Sequence, residues 1–514
     1  MTEIKTKAVE AIENKKDVIC AVADKIWEYA ELSLQEHKSC DLYCKVCEEE
    51  GFEVRKGICG IPTAFSASFG SGRPVIGILA EYDALSGLSQ ECGALEEKPL
   101  INGGSGHGCG HNLLGAGALA AAIGIKRYLE LREKCDTGSE KSSTGGTVIL
   151  YGCPGEEGCA SKAFMARDGE WQKLDAALTW HPEDCNEVVT GSSNSCIQVQ
   201  YTFHGIASHA SGAPEKGRSA LDAVELMNIG VQFLREHMGD KARVHYAITD
   251  AGGVSPNVVQ PRAQVLYMVR SNRVAEAVEL QNRVDKIAEG AALMTETTFD
   301  RKFVDGLSDT VTNRVLEKVL YKNFEELGVP SYTEEELSFA EKLAATYEGN
   351  DTAPGLGSAF DAEYAEAAQK MRAQFNSSHV NPGAVLENLG NCECDEEFKS
   401  TVGGMNGFLL PHFMGEAFEP GSTDVGDVSW NCPTAQIHVA AWPNGCPGHS
   451  WQNVSSAGTG IGHKAAVHAG KVMCAAAIDL FENQELIAEA KAEFMKRTAS
   501  GYVCPIPGEA VAEV

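Results

Sequence analysis

No apolar run in this 514-residue chain is long enough to cross a bilayer. The longest, Leu113–Ile125, is short and rich in Gly and Ala. Basic residues are scarce: 43 Lys and Arg stand against 72 Asp and Glu, a net charge of −29. That charge repels nucleic-acid phosphates and anionic membranes, so neither is an expected partner. Met1–Lys16 lacks the apolar core of a signal peptide, and a cytoplasmic protein is expected. The 18 cysteines lack any regular spacing, which argues against a disulfide scaffold and against an iron–sulfur framework of four clustered Cys. Cys40, Cys44 and Cys47 share one helical face and read as a buried apolar stripe. Cys392 and Cys394 sit in an acidic stretch with no ligand partner nearby. No internal repeat stands out. What remains is an ordinary globular composition, 43% hydrophobic and 22% charged, on a chain long enough for two or more domains.

One stretch stands apart. In Asn102–Ala118, His107, Cys109 and His111 alternate with Gly106, Gly108 and Gly110 and lead into a helix pattern of small residues. Thiolate and neutral imidazole are ligands for zinc-like metals, and the glycines let the backbone bend so that neighbouring ligands converge. Taken alone, the stretch reads equally well as a Gly-rich turn with a buried Cys and two capping His.

The rest of the chain decides between these readings. Thr6–Leu34 is expected to be one long helix with Ile12, Val18, Val22, Ile26 and Tyr29 on one side. A helix over Glu36–Glu50 follows, then strands at Phe52–Val54, Ala64–Phe69 and Pro74–Leu79, the last ending in Glu81-Tyr82-Asp83. After the Gly106–Gly110 loop come a helix over Leu113–Leu131 and a polar surface loop, Asp136–Gly146. The strand Thr147–Tyr151 ends at Glu156-Glu157, and Leu174–Thr179 ends in Trp180-His181. Consecutive strands thus deliver Cys/His, Glu-Glu and His to their carboxyl ends, where open α/β sheets keep their sites.

From Asn194 the texture changes to a strand–helix–strand–strand–helix unit, with strands at Ile197–Phe203, Val244–Ile248 and Ala263–Val269 and helices at Ala220–His237 and Val274–Thr295. It reads as a small α+β domain inserted between boundaries near Gly191 and Leu307. Residues 388–420 form a Gly-rich, acidic region expected to decorate the surface or cover the site. A strand at Ala435–Ala441, the P-G-H-S-W of Pro447–Trp451 and a last helix over Gly462–Leu480 complete the chain. His463 and His468 read as surface or packing residues of that helix.

Cys109-Gly110-His111, Glu156-Glu157-Gly158, His181, Ser208-His209-Ala210 and His449, in this order, resemble the metal-dependent aminoacylase and carboxypeptidase family. Within it they are most similar to the branch whose first metal motif is C-G-H, which takes in aminobenzoyl-glutamate hydrolases and related dipeptidases. H-G-C-G-H-N-L-L-G, G-S-T-D-V-G-D-V-S-W (Gly421–Trp430) and P-G-H-S-W-Q carry most of that likeness. The resemblance runs from the helical start to Ile478. It implies an α/β fold: a mixed-sheet, zinc-peptidase-like catalytic domain formed by residues 1–191 and 308–514, and an inserted ferredoxin-like dimerisation or lid domain at 192–307.

The resemblance also implies a site. Cys109, His111, Glu157, His181 and His449 would bind two divalent ions, Zn or Mn, with Co or Ni as alternatives. Glu156 would be the general base, taking a proton from the attacking water and passing it to the leaving nitrogen. Asp83 would orient a ligand. The E-Y-D sequence departs from the D-M-D of many relatives, so Glu81 receives no role. His107 and His204 are read as structural, His107 with a supporting place beside the ligands as the alternative. His209 would reach the partner subunit's site, and Asn257 and Arg270 would hold a substrate carboxylate; a surface Arg in a turn is the plainer reading of Arg270.

The expected function is therefore hydrolysis of the amide bond of a small N-acyl amino acid or dipeptide-like substrate, with aminobenzoyl-glutamate a candidate. A dipeptidase for β-alanyl or basic dipeptides is the alternative, and an acidic pocket would favour it. A subunit active only with a related partner chain is a third reading, so a homodimer or a heterodimer is expected. The presence of the base and all five ligands argues against a degenerate subunit.

Overall fold

The computed structural model describes residues 1–135, 145–379 and 404–513. Two antiparallel strands, β1 (Glu53–Lys56) and β2 (Phe65–Ser71), form one end of a seven-stranded sheet. Next lie β4 (Gly146–Gly152), β3 (Val75–Ala80), β5 (Ala176–Glu183) and β15 (Thr434–Ala440), all mutually parallel, and the antiparallel β6 (Glu187–Val188) closes the far edge. The four parallel strands are Val-, Ile-, Leu- and Ala-rich because helices cover both of their faces.

On one face lie α1 (Glu3–Asn14), α2 (Lys16–Tyr29), α4 (His111–Cys135) and α13 (Gly460–Glu482). α4 and α13 are built from Gly and Ala, which lets their backbones approach closely. A Cβ on Gly117 would sit 2.5 Å from Trp180 Nε1, whose N–H donates to the Leu114 carbonyl at 2.8 Å. The opposite face carries α5 (Ser161–Arg167).

The expected single helix over Thr6–Leu34 is two helices. The chain breaks at Lys15 (φ −105°, ψ 6°), and this turn rotates Ile19 into the core in place of Val18, which is 39% exposed. Cys40, Cys44 and Cys47 are buried along α3 (His37–Glu49). The helix α13 is not the last, because α14 (Gln484–Arg497) follows it; α14 buries only Ala490, so its polar sequence gave little sign of it.

A second sheet has its own core. In it β10 (Arg243–Asp250), β12 (Arg262–Ser271), β8 (Ser195–His204) and β13 (Thr298–Leu307) pair antiparallel in that order, backed by α6 (Ala220–Leu234) and α7 (Val274–Thr295). The fourth strand, β13, was not expected. It is an edge strand carrying Asp300, Arg301 and Lys302, and charges on an edge hide the alternation that marks a half-buried strand. Two short ribbons complete the strands: β9 (Ser208–His209) with β11 (Val258–Val259), and β7 (Ser192–Ser193) with β14 (Phe418–Glu419).

The loop expected at Asp136–Gly146 lies outside the described residues up to 144, as do residues 388–403 of the acidic region; Cys392 and Cys394 are among them. The described part, 404–420, runs beside β6, where the Leu410 amide donates to the Asn186 carbonyl at 2.9 Å. No helix among the described residues is long and apolar enough to cross a membrane.

His463 and His468 are packing residues of α13: His463 pairs with Asp24 at 2.7 Å, and His468 Nε2 bonds the Gly328 carbonyl at 2.8 Å. Burial pushes the His468 imidazole down to about 4, against 6.5 when free. The folded protein therefore keeps it neutral while the unfolded chain protonates first. Its contribution is complete above pH 6.5 and is lost as pH falls toward 4, up to about 3 kcal/mol. Urea unfolding at pH 7 and pH 5 is expected to show a smaller acid destabilisation in His468→Gln than in wild type.

Candidate metal centre

The parallel strands end at one place. From β3 the chain carries Glu81 and Asp83, from β4 Glu156 and Glu157, and β5 itself bears His181. His111 opens α4, and Gly110 before it has φ 74°, a left-handed value that turns the loop into the helix. His449 sits in the turn after β15, itself at φ 52°.

These residues form two triplets with one member in common. Ligand atoms of Cys109, His111 and His181 lie within 4.8 Å of one another, and so do those of Cys109, Glu157 and His449. The Cys109 sulfur is 3.4 Å from His181 Nε2, and His449 Nε2 is 3.3 Å from Glu157 Oε1. The donor chemistry fits two cations. His111 Nε2 and Glu157 Oε1 are both buried and make no well-aligned hydrogen bond, only contacts at 3.3 Å to Glu81 and His449, which is costly unless a ligand takes them up. Thiolate, imidazole and carboxylate are the donors that zinc and its neighbours take.

Asp83 fixes this geometry. Its Oδ1 is 2.9 Å from His111 Nδ1, and its Oδ2 accepts from the Glu157 amide and the Ser33 hydroxyl, each at 2.9 Å. With Nδ1 committed to Asp83, His111 presents Nε2 to the centre. Burial opposes the Asp83 charge, but the His111 imidazole, the Glu157 amide and Ser33 bring its carboxyl down to about 2. The His181 ring is held by its Nδ1 against the Pro182 carbonyl at 2.8 Å, and burial beside His111 and His438 drives its pKa well below 6.5. A neutral imidazole is the form that ligates. Burial, then Glu81 and Glu157, push the Glu156 carboxyl well up.

Glu81, left without a role by the sequence, is part of this site. Its Oε2 is 3.3 Å from His111 Nε2, and a third group of ligand atoms within 4.8 Å consists of Glu81, His111 and Glu156. Its Oε1 pairs with the Lys162 ammonium at 2.6 Å, and Lys162 pairs in turn with Asp424 at 2.5 Å. Lys162 and Asp424 are fully buried and were missed. A lysine on a helix reads as surface, and its partner lies 262 residues away.

The centre opens into a cavity of about 470 Å³ that reaches Arg270 at the root of the second sheet. Arg270 donates to the Ser422 hydroxyl at 2.9 Å. Along the cavity floor side chains alternate, as they must on strands. Thr179, His181 and Glu183 of β5 face it, and so do Thr434, Gln436 and His438 of β15, with Gln436 opposite Thr179 and His438 opposite His181. His438, also missed, is held through Nδ1 by Glu187 at 3.0 Å. In A-Q-I-H-V-A a lone histidine reads as core.

Two expected residues lie elsewhere in the single chain. His209 and Asn257 sit together on the β9–β11 ribbon, where the Ala210 amide donates to the Asn257 carbonyl at 3.0 Å, and neither lines the cavity. His107 is buried and bonds the Ile26 carbonyl at 2.9 Å, and His204 pairs with Asp300 at 2.8 Å.

The family description "Peptidase dimerisation domain" of the M20 group matches residues 193–295. The chain is 41% identical over 511 residues to a subunit of p-aminobenzoyl-glutamate hydrolase from Escherichia coli (strain K12), covering 99% of this chain and 98% of that protein. It is 28% identical over 344 residues to Xaa-Arg dipeptidase of Mus musculus, covering 65% of this chain and 73% of that one. Among solved structures, the aminobenzoyl-glutamate utilization protein from Klebsiella pneumoniae aligns with a TM-score of 0.53 at 15% identity, over 89% of this chain and 97% of its own. A putative aminohydrolase from methicillin-resistant Staphylococcus aureus aligns at 0.55 and 15% identity, over 92% and 99%. At that identity the two structures share the fold.

Proposed function

The chain belongs to the M20 family of peptidases and amidohydrolases, as a relative of a p-aminobenzoyl-glutamate hydrolase, and is a metal-dependent amidohydrolase; from that premise we propose that it splits the amide of p-aminobenzoyl-glutamate or a close N-acyl amino acid. The observation that carries the site is the pair of ligand triplets sharing Cys109. Cys109, His111, Glu157, His181 and His449 would hold two divalent ions; the thiolate and the imidazoles suit zinc, and the carboxylate also suits manganese. Once bound, the ions supply Lewis-acid polarisation of the amide carbonyl.

The chain's own residues do the rest. Glu156, beside the ligands without belonging to either triplet, takes the proton of the attacking water and returns it to the leaving nitrogen. Asp83 keeps His111 in the ligating tautomer. Arg270 binds a substrate carboxylate from the root of the lid.

We assign residues 1–191 and 308–514 to the catalytic domain and 192–307 to the lid; separate hydrophobic cores support the division. His209 and Asn257 then serve the site of a partner subunit. Apolar side chains exposed on the lid support an interface there: Ile229 and Phe233 of α6 are 54% and 72% exposed, and Ile248 projects from the edge strand β10. The partner is a second copy or a related chain, since the Escherichia coli relative is named as one subunit of its enzyme. Free thiols throughout the described residues support a cytoplasmic setting.

The test is release of glutamate and 4-aminobenzoate by the metal-loaded protein. Stoichiometric release of both is expected; metal-loaded protein that releases neither would remove this substrate from the reading. One observation favours a second reading, a dipeptidase for basic dipeptides. Beyond the centre, Glu183, Asp305, Glu317 and Glu419 line the cavity against the single Arg270. Cleavage of an Xaa-Arg dipeptide with no cleavage of p-aminobenzoyl-glutamate would select it.

A further inference from the structure

The cavity floor next to the centre holds two buried hydroxyls that no group among the described residues pairs. Thr179 and Thr190 line the cavity, are 1% and 5% exposed, and have hydroxyl oxygens with no hydrogen-bond partner. Buried hydroxyls left unpaired cost free energy, so their presence in a cavity wall points to a ligand that pairs them. Around them stand groups that accept. Glu183 follows His181 on the cavity face of β5, and Gln436 stands opposite Thr179. His438 lies 3.4 Å from the Gln436 amide nitrogen and shares its Nδ1 proton with Glu187, whose carboxylate is itself fixed by the Leu356 amide at 3.2 Å. With the amide nitrogen of Gln436 turned to His438, its carbonyl oxygen is left to accept.

We propose that Thr179, Glu183, Thr190 and Gln436, braced by the His438–Glu187 pair, form the subsite for a nitrogen donor on the substrate: an amine at the end of the molecule away from the carboxylate that Arg270 takes. The proposal rests on the amidohydrolase reading above and sharpens its substrate class. An arylamine and an alkylammonium on the acyl side of the scissile amide offer the same N–H donors.

Calorimetric binding to the zinc-loaded protein separates the subsite from turnover. Two matched pairs serve as probes: 4-aminobenzoate against benzoate, and lysyl-alanine against norleucyl-alanine. Wild type is expected to bind the amine-bearing member of at least one pair about tenfold more tightly, as an acceptor subsite requires. The pair that shows the gap identifies arylamine or alkylammonium as the source. Gln436→Leu is expected to close the gap, and the near-isosteric Thr190→Val to narrow it, which covers the case in which Gln436→Leu does not fold. Equal binding within both pairs by wild type overturns the proposal, even if p-aminobenzoyl-glutamate is hydrolysed. A gap in wild type that both folded variants retain overturns the residue assignment. A clear gap without hydrolysis of p-aminobenzoyl-glutamate leaves the subsite standing and removes that substrate from the reading.

Discussion

Glu156→Gln is expected to lower kcat/KM by about 10²–10⁴-fold, the usual worth of a general base, while leaving bound metal at the wild-type level. Gln has the size of Glu and hydrogen-bonds similarly, but it takes no proton from water at neutral pH. The neighbouring Glu157→Gln is expected to act differently and lower metal content, because Glu157 Oε1 belongs to the triplet with Cys109 and His449. The contrast matters because Glu156 also lies in a group with Glu81 and His111. In that competing arrangement Glu156 is a ligand, and its substitution removes metal. Glu81 is committed to Lys162 at 2.6 Å, which weakens it as a ligand and leaves Glu156 facing the cavity. Metal analysis and kinetics on the same preparations decide the matter: loss of metal in Glu156→Gln contradicts its role as base.

Lys162→Met is expected to destabilise the protein by about 3–5 kcal/mol, the cost of removing one member of a buried ion pair. Its ammonium, fully buried, is shared by Glu81 and Asp424, and the Lys162 amide also donates to Asp424 at 2.9 Å. Without it two carboxylates face each other in a dry interior beside His111 and Glu156. Asp424 belongs to the segment that also anchors the lid's return strand: Asp427 accepts from the Ser308 amide and hydroxyl and from Tyr502, and the Trp430 indole donates to the Asp309 carbonyl. Urea unfolding followed at 25 °C gives the loss directly. A change below about 1 kcal/mol, the scale of a surface pair, contradicts this account.

The parts of the site that sequence made legible are those whose chemistry is declared where the chain ends a strand. Cys109, His111, Glu156, Glu157 and His181 follow apolar runs or glycine turns, and the parallel order β4-β3-β5-β15 brings those ends together. His449 was legible only through a motif, since nothing local ties P-G-H-S-W to the distant Cys109, His111, Glu157 and His181. Glu81, Lys162 and Asp424 were not legible as a group, because a buried triad assembled from three distant segments leaves no periodic trace. His438 was hidden by its strand: only the register of β15 on β5 shows that it faces the cavity opposite His181. In the fold, the break at Lys15 escaped notice because both halves keep a helical pattern. The charged edge strand β13 escaped because its charges mask alternation. Local chemistry was readable, and partners set by tertiary pairing were not.

The most direct test of the two-ion centre is metal stoichiometry, by elemental analysis after reconstitution with zinc, of wild type and Cys109→Ser. Because one sulfur belongs to both triplets, about two ions per chain are expected in wild type and loss of both sites together in the variant. Wild type that takes up no metal, or a Cys109→Ser protein that still holds two ions, would contradict it.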